Sequence, residues 1–430
     1  MLRRLEPLNP NLPTFMKTIF TFLAGLLLLP GVASALRISY SYDAAGRLNA
    51  ANYNGDSRTA YGYDKNGSLT SRVSSLTPVL AASPHLAGTY SGLITNATPN
   101  AGNTGVITLK LLANGTFSGK LTIQGGSFAF AGKFDANGLL EPLHIQIDRK
   151  APLLDYLLSL TLDVQSSPQA IQGTITGDFN SEVFNSSIAM RPDRFNLGGL
   201  LMGGGMAGKF TMIFEADNGP PGVPEGTGFA TVAVSTKGVV TLAGKLPNNV
   251  AITQGGQILW PNVWPLYVPL HAQLGFLAGT MTFVNLGPVV LQGDIHWLKP
   301  ATAGTFHPAA FSTSVLAEGA RYLPPASGQR VLDFLPVSPN AVFEAFEGNL
   351  AAPWSKNVTL DSANKFIIPL DASALKLGVA TASGLVTGSF KSSPTTTRVL
   401  SGVVMQGERF AAGFFVGDTE SGDFSVEPLP

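Results

Sequence analysis

The chain has 430 residues and carries 27 Lys+Arg against 27 Asp+Glu, so its formal charge is zero. Charged residues make up 13% and hydrophobic residues 45%, which excludes a disordered body and, without a basic excess, a nucleic-acid-binding surface. Cysteine is absent, which removes disulfides, thiolate metal sites and cysteine nucleophiles.

Residues 16–35 have the layout of a secretory signal. Lys17 supplies a positive start, residues 19–29 form an apolar run, and Ala33-Ser34-Ala35 is a small-x-small cleavage site. The apolar run is too short to cross a membrane, which takes about 20 residues. Residues 1–35 are therefore expected to be a signal peptide, with Met16 a candidate true start. The expected destination is extracellular, periplasmic or the cell surface. No later stretch reaches the length of a membrane helix, so none is expected in the mature chain.

Tyr40-Ser41-Tyr42-Asp43-Ala44-Ala45-Gly46-Arg47-Leu48 recurs 21 positions on as Tyr61-Gly62-Tyr63-Asp64-Lys65-Asn66-Gly67-Ser68-Leu69. Each unit reads as a β-hairpin: the alternating tyrosines line one strand face, the aspartate caps the turn, and the glycine takes a positive φ. The pattern resembles the YD repeat of the RHS family, which extends from bacterial RHS toxins to teneurins. The resemblance covers residues 38–72 and implies a β-sheet unit with a link to carbohydrate binding. A plain spacer of two hairpins is the alternative reading.

Residues 73–84 read as a Ser/Thr/Pro/Ala-rich linker, following the two repeats at 36–72. Beyond it, alternation is clean. Ile107, Leu109 and Leu111 share a face, Asn114-Gly115 marks a turn, and Phe117, Gly119, Leu121 and Ile123 continue the apolar side. Residues 85–197 form a first β-module, the glycine-rich stretch 198–207 a linker, and 208–430 a second, larger module. Gly208-Lys209-Phe210 restarts the pattern of Gly88-Thr89-Tyr90, and Gly-Lys-Leu closes a hairpin at both 119–121 and 244–246. The predicted fold is all-β and antiparallel, with two related barrel or sandwich modules. The glycine and aromatic spacing over 85–430 resembles uncharacterised secreted β-rich proteins of verrucomicrobial and planctomycete type, which are barrels without an assigned activity.

Chemistry-bearing motifs are sparse. The carboxylates Asp178, Glu182, Asp294 and Glu344 lie in no motif, and His85, His144, His271, His296 and His307 lack metal-ligand spacing. No catalytic residue, metal site or cofactor is predicted. The one local cluster is Trp260-Pro261-Asn262-Val263-Trp264-Pro265-Leu266-Tyr267. Rigidly framed Trp260, Trp264 and Tyr267 could stack on sugar rings, or they could pack a core. The expectation is a secreted or cell-surface, non-enzymatic β-protein whose partner is a glycan or a surface protein. A secreted polysaccharide hydrolase and a structural envelope protein are the alternatives, and two facing carboxylates in a concave site would single out the hydrolase.

Overall fold

The structure is a computed structural model. It describes residues 38–429 except 44, 54–56, 77–85, 136, 151–152, 165–168, 194–205, 216–221 and 286–288. The expected signal segment, most of the 73–84 and 198–207 linkers and His85 lie outside the described residues.

Two compact units divide at residue 75. The first holds a four-stranded antiparallel meander, β1 (Ile38–Tyr42), β2 (Leu48–Tyr53), β3 (Ser57–Tyr63) and β4 (Leu69–Leu76). Its turns follow the expected chemistry. Asp43 Oδ1 accepts the Ala45 and Arg47 N–H groups, each at 2.9 Å, and Gly46 has φ +76°. Asp64 Oδ1 accepts Asn66 N–H and Ser68 N–H at 2.9 and 2.8 Å, and Gly67 has φ +87°. The second turn's strand is tied to the first hairpin. The Arg47 guanidinium stands 4.8 Å from the Tyr63 ring centroid, and the Tyr63 hydroxyl donates to Leu48 O.

The second unit is built of long meanders. The first contains β5 (Gly88–Thr95), β6 (Gly105–Leu111), β7 (Thr116–Ile123), β8 (Gly126–Phe134), β9 (Leu140–Glu141), β10 (Ile145–Ile147), β11 (Tyr156–Asp163), β12 (Ala170–Phe179) and β13 (Glu182–Pro192). The next contains β14 (Gly208–Glu215), β15 (Gly228–Val234), β16 (Val239–Lys245), β17 (Ala251–Gln257), β18 (Val263–Leu270), β19 (Gly275–Asn285), β20 (Val289–Lys299) and β21 (Phe311–Tyr322). The last contains β22 (Ala341–Glu347), β23 (Trp354–Leu360), β24 (Phe366–Ile367), β25 (Lys376–Ala380), β26 (Leu385–Lys391), β27 (Thr397–Met405), β28 (Phe410–Val416) and β29 (Ser421–Pro428). The all-β, antiparallel, barrel-like expectation holds. The stretch 208–430 carries two eight-stranded sheets, each with its own core.

The three meanders close alike. First and last strands pair, as in Gly92↔Met190, Met212↔Gly319 and Phe343↔Val426. The free sheet edges therefore fall mid-chain, where isolated bridges narrow the gap: Leu139↔Thr161, Leu259↔Val263 and Lys365↔Gly378. Side chains fill the interiors. Leu121, Phe134 and Tyr156 pack the first, Trp264, Trp297 and Phe210 the second, and Phe343, Phe390 and Phe424 the third. A ligand must therefore bind outside the packed centres.

The first two meanders share their opening register. Gly88, Tyr90 and Ile94 face Leu111, Leu109 and Gly105, while Gly208, Phe210 and Phe214 face Val234, Val232 and Gly228. The Gly-Lys-Leu triplets are displaced within this common frame. Leu121 opposes Ile107, but Gly244 opposes Ala230, the residue that matches Ile107. Leu246 thus corresponds to Ile123. Because strand faces alternate with period two, a two-residue displacement preserves the inside and the outside. Leu121 and Leu246 are fully buried, Lys120 is exposed and Lys245 half-buried. The Phe130 ring, rather than Phe128, crosses over Gly119 and occupies the space a Cβ would take.

Candidate functional site

The aromatic cluster does not form one surface. Parity sends Trp264 into the second core, where it is completely buried against space left by Gly256. Tyr267 faces outward, yet the first meander covers it. It stacks on Phe276 at 6.2 Å and packs with Leu93 and Val106, and burial pushes its hydroxyl up to about 12. Trp260 lies half-buried in the preceding turn, where its backbone N–H donates to Pro192 O at 3.0 Å. The three side chains therefore have three separate surroundings, and the two buried rings offer no face to a sugar.

The other sequence candidates are also dispersed. Asp294 and Glu344 are exposed on β20 and β22. His144 is exposed, His296 contacts Ser312 Oγ at 3.0 Å, and His271 lies 3.5 Å from Asn248. His307 is buried, and its Nε2 accepts the Ser421 N–H at 2.8 Å. No group of three acidic or histidine side chains among the described residues is arranged to hold a metal.

Asp178 and Glu182 flank the β12–β13 turn and have unlike roles. Asp178 is buried and accepts Arg149 Nη1 and Leu154 N–H at 2.8 and 2.9 Å. The guanidinium also donates to Gln124 Oε1 at 2.7 Å and lies 4.3 Å over the Tyr156 ring. A buried charge tolerates removal from water only with such complete pairing. Gln124 Nε2 in turn donates to Gly102 O and Asp178 O, at 3.0 and 2.9 Å. This network holds the 96–104 loop against the β12–β13 hairpin.

The loop is organised by asparagine. Asn96 Oδ1 accepts Thr98 N–H, Asn100 Oδ1 accepts Gly102 N–H, and buried Asn103 accepts Asn100 N–H while donating to Thr98 O. Asn96 Nδ2 reaches across to Asn185 O at 3.1 Å. Between loop and hairpin lies a polar cleft of about 330 Å³, walled by Asn96, Asn100, Phe179, Glu182 and Asn185 among others. Glu182 and Asn185 are exposed, and their side chains take no hydrogen bond from the described residues. Glu182 and Asn185, three positions apart on β13 and so on opposite faces of it, both border this concavity. Sequence reasoning weighed Glu182 as half of an acid pair and missed the cleft. Asparagines read as turn residues, and the two walls lie more than eighty positions apart.

No protein-family model matches the chain, and no curated protein matches it. Among solved structures, similarity is found to "Endo-1,5-alpha-L-arabinanase from Thermotoga petrophila RKU-1", at 10% identity over 74% of this chain and 82% of that one. The TM-score is 0.20, too low to carry an argument about fold or function.

Proposed function

We propose that the protein is an exported, non-enzymatic binding protein that takes a glycan in the cleft between the 96–104 loop and the β12–β13 hairpin. Export rests on the signal-like order of residues 16–35. The observation that supports glycan binding is a polar concavity organised by the asparagine loop and bordered by exposed Glu182 and Asn185. A carboxylate accepts hydrogen bonds from hydroxyls, and an amide both donates and accepts, which suits vicinal sugar hydroxyls. Hydrolysis of a glycosidic bond calls for two carboxyl groups about 5–9.5 Å apart. Here Glu182 is the one acid among the described residues lining the cleft, and Asp178 is held by Arg149. A peptide adding as a β-strand finds no free ladder, because β11, β12 and β13 are each paired on both sides.

Glycan-array screening of the chain, followed by calorimetry on the best oligosaccharide, tests this reading. Glu182→Gln and Asn185→Ala should each weaken binding about tenfold, the worth of one or two lost hydrogen bonds. An empty array, unaltered affinity in both variants, or release of shortened sugar from the bound oligosaccharide would overturn it.

A further inference from the structure

Beyond the hairpin's other flank lies a second depression, of about 300 Å³, lined by Gln146, Leu154, Asp155, Leu157, Thr176 and Val183. It is apolar where the first is polar. Leu154, Leu157 and Val183 are 53%, 41% and 73% exposed, large values for aliphatic side chains brought together on one surface. Asp155 at its rim is already committed, accepting Arg149 N–H at 2.7 Å and Gln146 Nε2 at 2.8 Å. Its carboxylate is thus held by the protein itself.

The two depressions adjoin. Val183 borders both. Leu157 pairs with Thr176, and Thr176 pairs with Asn185, so one cross-strand row runs from the apolar shelf to the polar cleft. Two strand spacings separate its ends, about 10 Å. The Asn180-Ser181 turn, with both residues at positive φ (52° and 67°), keeps the hairpin tight between the two walls. One ligand can therefore lie across both surfaces, provided that it is polar at one end and aliphatic at the other.

Building on the glycan reading above, we infer that the ligand is a glycan bearing an alkyl or acyl chain, with the sugar at Glu182 and Asn185 and the chain on Leu154, Leu157 and Val183. The shelf supplies what a free sugar lacks: apolar area that gains by leaving water. Backbone pairing on both sides of every strand in the row leaves side chains alone to read the ligand.

The test compares methyl-, hexyl- and octyl-β-D-maltoside, each below its micelle threshold, by calorimetry on the whole chain. The octyl compound should bind about tenfold tighter than the methyl one, a fraction of the gain from burying every methylene. Leu154→Ser with Leu157→Ser, neither of which lines the polar cleft, should abolish that gain and leave methyl-maltoside affinity unchanged. Both side chains are exposed, and an unaltered melting curve verifies that the variant folds. Equal affinity for all three maltosides, lost in Asn185→Ala, overturns the amphiphile inference while the glycan reading stands. Chain-length dependence that survives Glu182→Gln and Asn185→Ala marks simple adsorption on the shelf and overturns the inference. Failure of all three to bind, when the array has yielded an oligosaccharide, also overturns it; failure together with an empty array overturns both readings.

Discussion

Gln254 closes the second barrel by standing in for a missing strand partner of Tyr267. Tyr267 N–H donates to Gln254 Oε1, and Gln254 Nε2 donates to Pro265 O, both at 3.1 Å. β17 and β18 are the edges of this sheet. Along β18, residues 265, 267 and 269 direct their backbone groups toward the gap, and two of these three are proline. Proline has no N–H to leave unpaired, so Pro265 and Pro269 blunt the edge, and the glutamine side chain takes up the one N–H left, that of Tyr267, together with Pro265 O. Gln254→Ala should lower stability by about 1–3 kcal/mol, the cost of stranding partly buried partners. Urea denaturation measures it. An unchanged midpoint would mean that water takes the glutamine's place.

Two neighbouring groups at the junction of the last two sheets give opposed pH dependence. Burial pushes the Asp423 carboxyl from 3.8 up to about 7, aided by Glu215 and Glu347, although Thr227 N–H donates to it at 3.0 Å. The folded state therefore holds an extra proton between these values. Its contribution is full below about 4 and is lost as pH rises through 7. Burial, then Lys299, pushes His307 from 6.5 down to about 4, so its contribution is full above 6.5 and is lost as pH falls through 4. Relative to the wild type, Asp423→Asn should gain stability as pH climbs from 4 to 7, and His307→Gln should lose it. Melting temperatures across that range check both signs. Parallel curves for the three proteins would refute the assignment.

The capped five-residue turn of the first hairpins recurs in the barrels. Asp135 Oδ1 accepts Asn137 N–H and Leu139 N–H, and Ser235 and Asp361 repeat the arrangement. At Gly138, φ is +81°, and an added Cβ would overlap Leu162 O, the carbonyl of a neighbouring strand. Gly138→Ala should cost about 1–3 kcal/mol through backbone strain and displacement of that strand. Gly46→Ala, whose site has open space, should cost less. Chemical denaturation of both variants gives the comparison, and equal losses would show that the crowding at Leu162 is relieved without cost.

Leu121→Ala and Leu246→Ala each remove a fully buried side chain and should cost about 2–5 kcal/mol. Lys120→Ala, on the exposed face of the same strand, should change stability by less than about 0.5 kcal/mol. Similar losses for lysine and leucine would contradict the strand's inside–outside assignment.

Strand parity and turn chemistry are local, and for that reason Asp43, Asp64, Asn114-Gly115 and the alternation around Leu121 were legible in the sequence. Ring closure is not local. The pairings of β14 with β21 and β22 with β29 join segments about a hundred positions apart or nearly so, and no residue pattern announces them. The division within 208–430 is marked by Pro324, Pro325, Pro336 and Pro339, but the connecting stretch does not read as a free linker because its Leu332 and Phe334 are buried in the third core. At Trp264 and Tyr267, the prolines signal a sheet edge as readily as a ligand frame. Whether a neighbouring sheet covers the outward tyrosine depends on packing that periodicity does not encode.

Pairing of first and last strands brings each barrel's entrance and exit to adjacent positions, about 5 Å apart across the sheet. The main chain threads each barrel as a string threads a bead with its two holes side by side. A whole barrel can thus be cut out or copied in at one point of the chain without rerouting what precedes or follows it. Growth by addition of entire rings is open to such a chain, whereas the loss of a single hairpin from within a ring would leave a gap that no neighbouring strand can fill.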